Sequence, residues 1–227
     1  MLKLEVIVQS VADAVAAAEG GADRLEVVRA IECGGLTPSL PIVREIAAAT
    51  SLPLRTMVRQ NAGFATSRDE IRILRREAAA FAALGVDGIV AGFAGDGILR
   101  LDDLSEILVD APQVRVTFHR AFEIATDQMN AVDALARFAA VDSILTSGGE
   151  GDAMSRCARL KALTARASGR LRIVAGGGVD AALFAALARS KCVSDVHVGR
   201  LAREQFDRTA RVSAARVREL RAILDGA

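Results

Sequence analysis

Eight short apolar segments recur along the chain, and the polar residue near the start of each sorts them into two kinds. Four carry a base: Leu2-Lys3-Leu4-Glu5-Val6, Leu54-Arg55-Thr56-Met57-Val58, Val114-Arg115-Val116-Thr117-Phe118 and Leu171-Arg172-Ile173-Val174. Four follow an aspartate: Asp23-Arg24-Leu25-Glu26-Val27, Asp87-Gly88-Ile89-Val90, Asp142-Ser143-Ile144-Leu145 and Asp195-Val196-His197-Val198. The kinds alternate strictly, and a helical pattern lies between almost every pair. Eight strands joined by helical crossovers predict an α/β protein, a single-domain (β/α)8 TIM barrel over residues 1–227. Barrels of this type place chemistry on the loops after the strands, so each polar residue can be assigned to one end.

The strands are expected over about 2–8, 23–28, 53–59, 87–92, 113–119, 142–146, 171–175 and 195–199. Ser10 reads as the N-cap of the first helix, and Ser67 with Glu70 as a capping box for the third. The second helix is expected over 40–49, the fourth near 101–109 and the fifth from Asp127 to Ala140. The sixth is expected over 152–167, the seventh from Asp180 to about Ser190, and the last ends near Leu224.

The strand-start bases and the aspartates should face one another around the barrel floor, where they neutralise each other or cap turns. The opposite end collects Glu5, Glu26, Arg59, His119, Arg120, Thr146, Ser147, Gly176, Gly177, Gly178, His197 and Gly199. Glu26 lies inside an apolar strand, where a carboxylate is costly unless paired or used. Arg59 and Arg120 suit a carboxylate or phosphate ligand. The structural alternative is an ion pair with Glu5, Glu26 or Glu123. Gly176-Gly177-Gly178 leads into the seventh helix, and Gly199-Arg200 follows the last strand. Backbone N–H groups there suit an anion.

Bulk properties narrow the classes. Of 227 residues, 52% are hydrophobic and the formal net charge is +1, so no global field draws the chain to nucleic acid or an anionic membrane. No apolar run approaches the ~20 residues of a membrane span. The three cysteines, Cys33, Cys157 and Cys192, lack metal-knuckle spacing and fit reduced thiols in a cytosol. A first strand starting at about residue 2 leaves no room for a signal peptide. The lysines, Lys3, Lys161 and Lys191, fall away from the strand ends, which argues against Schiff-base chemistry.

Several strings together resemble the CutC family: Gly21-Ala22-Asp23-Arg24-Leu25-Glu26, Gly34-Gly35-Leu36-Thr37-Pro38-Ser39, Thr117-Phe118-His119-Arg120-Ala121-Phe122 and Ala175-Gly176-Gly177-Gly178-Val179. The resemblance spans most of the chain. It implies a (β/α)8 barrel and a cytoplasmic protein tied to copper homeostasis and copper binding. The chain also departs from the pattern. Where the family has R-P-R-G-G-D-F, it reads Arg59-Gln60-Asn61-Ala62-Gly63-Phe64. Val28 stands where the family often has a cysteine, which weakens transfer of a thiolate copper site, and Glu123 stands where an aspartate is common.

Two readings stay open. In the first, the chain handles Cu(I), with Cys33, His119 and His197 as the available soft ligands. In the second, it is an enzyme of lyase, isomerase or hydrolase type acting on a small anionic or phosphorylated metabolite. Glu5 or Glu26 is then the base, His119 the acid or electrophile, and Arg59 and Arg120 hold charge. Gly176, Gly177, Gly178 and Gly199 take the phosphate. No organic cofactor is implied, and a homo-oligomer is open on this sequence.

Overall fold

The computed structural model describes residues 2–227. Eight parallel strands close into a barrel: β1 (Lys3–Val8), β2 (Arg24–Val27), β3 (Leu54–Met57), β4 (Gly88–Ala91), β5 (Val116–Phe118), β6 (Val141–Thr146), β7 (Arg172–Ala175) and β8 (Asp195–Val198). Each strand neighbours the next in sequence, and β1 closes the ring against β8. Helices α1 (Val11–Glu19), α2 (Leu40–Ala49), α3 (Arg68–Ala83), α4 (Leu101–Ile107), α5 (Gln128–Ala136), α6 (Ala153–Ala167), α7 (Ala181–Ser190) and α8 (Ala214–Asp225) follow the strands in turn. The expected architecture is therefore the observed one.

Local signals act as the sequence predicts at the helix starts. Ser10 accepts the Asp13 N–H at 3.1 Å, and Ser67 with Glu70 forms the full capping box. Helix α5 is shorter than expected. Its last turn tightens through Arg137 N–H to Ala134 O and Phe138 N–H to Leu135 O, and Val141 then turns into β6. Likewise β5 begins only at Val116, because Val114 still donates into a turn at Ala111. The glycine-rich loop after β4 holds a small hairpin, Ala94–Gly95 against Ile98–Leu99, that periodicity did not reveal.

The period of two along each strand divides the residues between two faces. Leu4, Val6, Leu25, Val27, Ile89, Phe118 and Val196 turn outward and join the large core beneath the helices. A separate small cluster, Ile7, Val28, Ile31, Met57 and Val90, sits inside the barrel near the strand C-terminal ends. The other alternating positions are polar and buried, among them Glu5, Arg24, Glu26, Arg55, Asp195 and His197.

At the floor these polar groups pair as predicted. Arg55, fully buried, bonds Asp87 at 2.9 Å and Asp142 at 2.7 Å. Arg172 reaches Asp142 at 2.8 Å and Asp195 at 3.9 Å, and Arg115 pairs with Asp87. Lys3 is the exception: it is exposed and joins no ion pair among the described residues. Asp23 instead accepts the Leu4 N–H at 2.7 Å and pairs with Arg221 of α8 at 2.8 Å. The helix carries the longer reach here and takes the position expected for the lysine.

Candidate functional site

At the strand C-terminal end lies a cavity of about 440 Å³. Its walls include Glu26, Arg59, His119, Arg120 and His197, brought together from β2, β3, β5 and β8. The volume falls in the range of small-molecule sites. Gly177, Gly178, Gly199, Arg200 and Arg208 also line it. Four arginines thus face a single carboxylate, that of Glu26.

Glu5 does not line the cavity, so its expected role as a base is not supported. It is buried behind His197, where Arg24 bonds its Oε2 and His197 Nδ1 meets its Oε1 at 2.8 Å. Strand pairing sets this contact, because Glu5 and His197 are register partners across β1 and β8. Arg24 continues to Asp195 at 2.8 Å and so ties this network to the floor. Burial works against an ionised Glu5. The Arg24 charge and the His197 hydrogen bond outweigh it and hold the carboxyl well below its ordinary range. An ionised carboxylate only accepts hydrogen bonds, so the His197 Nδ1 carries the proton it shares with Glu5.

The other ring nitrogen, His197 Nε2, faces Glu26 Oε2 at 3.7 Å, in ion-pair range but too long for a hydrogen bond. Burial pushes the Glu26 carboxyl up to about 7, with repulsion from Glu5 adding to it and the His197 charge opposing it. Burial alone would lower His197, but the carboxylates of Glu26 and Glu5 raise it instead. Each of the two groups therefore holds a proton more strongly than it would in water, and their titration belongs to the pair. Glu26 Oε1 has no partner among the described residues. A buried carboxylate with an unmet oxygen on a cavity wall is a general acid–base candidate.

His119 caps the short 3-10 turn Arg120–Ile124, its Nδ1 accepting the Ala121 N–H at 3.2 Å. The ring proton of the neutral form therefore sits on Nε2, which is buried without a partner on a residue that lines the cavity. Burial, then the Arg59 charge, pushes the imidazole down to about 3. His119 thus stays neutral at physiological pH. A neutral imidazole with its proton on Nε2 is a hydrogen-bond donor.

The arginines divide in the same way. Arg120 lies half exposed and is held by Glu123 at 2.7 Å, so the structural alternative wins there. Glu123 also accepts the Ser147 N–H at 2.6 Å and the Thr146 hydroxyl at 3.2 Å. Those two strand-end groups are thereby engaged. The Arg59 pair with Glu26 does not form. Instead Arg59 donates to the carbonyls of Gly63 at 3.2 Å, Gly34 at 3.4 Å and Ala62, and its guanidinium stacks over Phe64 at 4.8 Å.

The glycine loop after β7 is built more finely than the sequence suggests. Gly176 is not an anion donor. It donates its N–H to Thr146 O at 2.9 Å, and a Cβ there would meet Leu145 and His197 within 3 Å. The next two carbonyls are held by Arg156, Gly177 O at 2.7 Å and Gly178 O at 3.0 Å. Carbonyl and N–H point oppositely across a trans peptide. The N–H groups of Gly178 and Val179 are therefore turned away from Arg156. Together with the N–H groups of Gly177 and Gly199 they donate to no acceptor among the described residues. Gly177 adopts φ +90° and a Cβ there would lie 2.8 Å from Arg120 Nε, so only glycine fits. The α7 N-terminus adds less than expected, because Asp180 already caps it through the Leu183 N–H at 2.8 Å.

Cys33, His119 and His197 all border the cavity, but they are not gathered around one point. Among the described residues, no three His, Cys, Asp or Glu side chains are grouped to hold a metal ion. Both δ nitrogens are committed, one to Ala121 and one to Glu5. The donor set left for Cu(I) is the Cys33 thiol with His197 Nε2, a poor fit to a tight site. Arg24, Arg156 and Arg208 were not singled out from the sequence. Only Arg24 had a signal, a base two residues before Glu26 on the same strand face.

By fold and site, this is a (β/α)8 barrel with a cation-lined cavity and a buried Glu26–His197 pair at the strand C-terminal ends. The sequence comparisons make it more particular. A sequence model described as the CutC family matches residues 2–201, and the chain belongs to that family. A CutC family protein of Agrobacterium fabrum is 36% identical over 97% of this chain and 93% of its own length. A human protein named copper homeostasis protein cutC homolog is 33% identical over 78% of this chain and 65% of its own. The solved structure of CutC from Streptococcus agalactiae superposes with a TM-score of 0.79 at 22% identity, over 87% of this chain and 98% of that one.

Proposed function

We propose that this CutC-family chain acts on a small anionic metabolite, with a phosphate seated on the loops after β7 and β8. Glu26 shuttles a proton, and His119 donates a hydrogen bond to an oxygen on which charge develops. The observation that carries this reading is that two residues lining a cavity with four arginines, Glu26 and His119, each keep a buried polar atom without a partner, Oε1 and Nε2. Each atom is buried at a cost that a ligand, met by a small turn of the side chain, would relieve. Glu5 and Arg24 are positioning residues that hold the His197 tautomer. The test is a thermal-shift screen of phosphorylated metabolites on the wild-type chain and on Glu26→Gln. Stabilisation of both proteins by the same compound, with turnover only by the wild type, is the expected result. No response to any phosphorylated compound would remove the reading.

The second reading comes from the human relative's name: the chain takes part in copper homeostasis and binds Cu(I) through Cys33 at the same cavity mouth. The scattered donor set predicts weak uptake. An anaerobic competition titration showing tight stoichiometric Cu(I) binding, lost in Cys33→Ser, would reverse the order of the two readings.

A further inference from the structure

Apart from Arg120, which follows β5 and is neutralised by Glu123, the cationic groups of the cavity lie on two sides of it. In the eight-strand ring, β3 and β7 are four places apart, hence diametrically opposed. The unengaged N–H groups of Gly177, Gly178 and Val179 follow β7, and Gly199, Arg200 and Arg208 follow β8 beside it. Arg59 follows β3, on the far wall.

Arg59 is an unusual cation. It is only 9% exposed and has no carboxylate within 4.0 Å among the described residues. Three of its five N–H groups are spent on the carbonyls of Gly34, Ala62 and Gly63, which with Phe64 fix the guanidinium in place. Two donors remain. A buried, rigid guanidinium without a counter-ion is costly in isolation, and burial together with the nearby Arg120 charge depresses its proton affinity. A carboxylate or phosphate oxygen at the remaining donors would relieve that cost. Glu26 does not supply it, since it forms no ion pair with Arg59.

We propose that the ligand of this cavity carries two anionic groups, one at each end. A phosphate occupies the cradle after β7 and β8, a carboxylate or second phosphate binds Arg59, and the reacting oxygens lie between, at Glu26 and His119. This rests on the anionic-ligand reading above and narrows its substrate class. Arg59 is then the residue that selects doubly anionic compounds over singly anionic ones.

Calorimetric titration of the full chain with two matched pairs tests it: glycerol 3-phosphate against 3-phosphoglycerate, and ribulose 5-phosphate against ribulose 1,5-bisphosphate. In at least one pair the doubly anionic member is expected to bind tenfold or more tighter. In Arg59→Met that advantage should fall to about twofold, while the singly anionic member keeps its affinity. Crystallising the wild-type chain with the preferred compound gives a second readout that needs no variant, since the second anionic group should lie against the Arg59 guanidinium. Monophosphate binding with no gain from the second charge, equal loss of both members in Arg59→Met, or a second anion seated elsewhere would overturn the proposal alone. Failure of all four compounds to bind the wild type would overturn the anionic-ligand reading with it.

Discussion

The floor and the mouth of the barrel are built from the same residue types, yet they settle their charges in opposite ways. At the floor, Arg55, Arg115 and Arg172 meet Asp87, Asp142 and Asp195 in a chain of ion pairs. At the mouth, Arg59, Arg200 and Arg208 meet no carboxylate among the described residues, and Glu26 and His119 each keep a buried polar atom unmet. Saturation makes the floor a structural element. Incompleteness at the mouth leaves buried polar groups open to a ligand. Arg24 joins the two regimes, with one arm on Glu5 beneath the cavity and the other on Asp195 at the floor.

The contrast can be broken by substitution. Arg55→Met takes from Asp87 and Asp142 their fully buried partner and leaves them Arg115 and Arg172 alone, and should cost about 1.5–3 kcal/mol of folding stability in denaturant titrations. The mouth substitution Arg200→Leu should change stability by no more than about 0.5 kcal/mol. Equal losses from the two would erase the distinction between the ends.

A sharper measure is the pH dependence of stability. Folding raises Glu26 from 4.5 to about 7, so the folded chain binds the extra proton between those values. Its contribution is full below about pH 4.5 and is lost as pH rises through 7. His119 works oppositely. Its depressed value favours the folded state above pH 6.5, and that contribution is lost as pH falls towards 3. Glu26→Gln should therefore remove the decline in stability between pH 4.5 and 7 that Glu26 contributes. An unchanged stability profile in the variant would mean that Glu26 is not protonated in the folded chain.

Two smaller effects complete the comparison. Arg208→Ala should weaken binding of a phosphorylated ligand by about five- to tenfold while changing stability by no more than about 0.5 kcal/mol. Lys3→Ala should change neither binding nor stability measurably, since Lys3 is exposed and outside the floor network. A loss of about 1 kcal/mol or more there would restore it to the ring that the alternating pattern predicts.

Much of this was legible in the chain. The charge markers at the strand starts revealed the floor because most pairs join neighbouring strands, with Arg55 alone crossing from β3 to Asp142 of β6, and the side-chain period of two carries the same inward face up to the mouth. Arg55, Met57 and Arg59 lie on one such row, and Asp195, His197 and Gly199 on another. The partners at the mouth were not legible. Arg59 and Arg120 look alike in sequence, but Arg120 starts a 3-10 turn that brings Glu123 beneath it, whereas Arg59 is followed by a loop whose carbonyls take its donors. Gly176 and Gly177 also look alike. One still belongs to the strand ladder, and the other has left it.

The sequence by itself determined the number of strands, their order and which face of each turns inward, because hydrophobic period and turn residues act over a few positions. Tertiary closure decided which charges are saturated. Glu5 and His197 lie 192 positions apart and meet only because β1 closes on β8. That closure removes Glu5 from the cavity, fixes the His197 proton on the Glu5 side and leaves Glu26 with an oxygen to offer. A buried group's protonation depends on its full set of neighbours, and those neighbours come from strands that no local pattern connects.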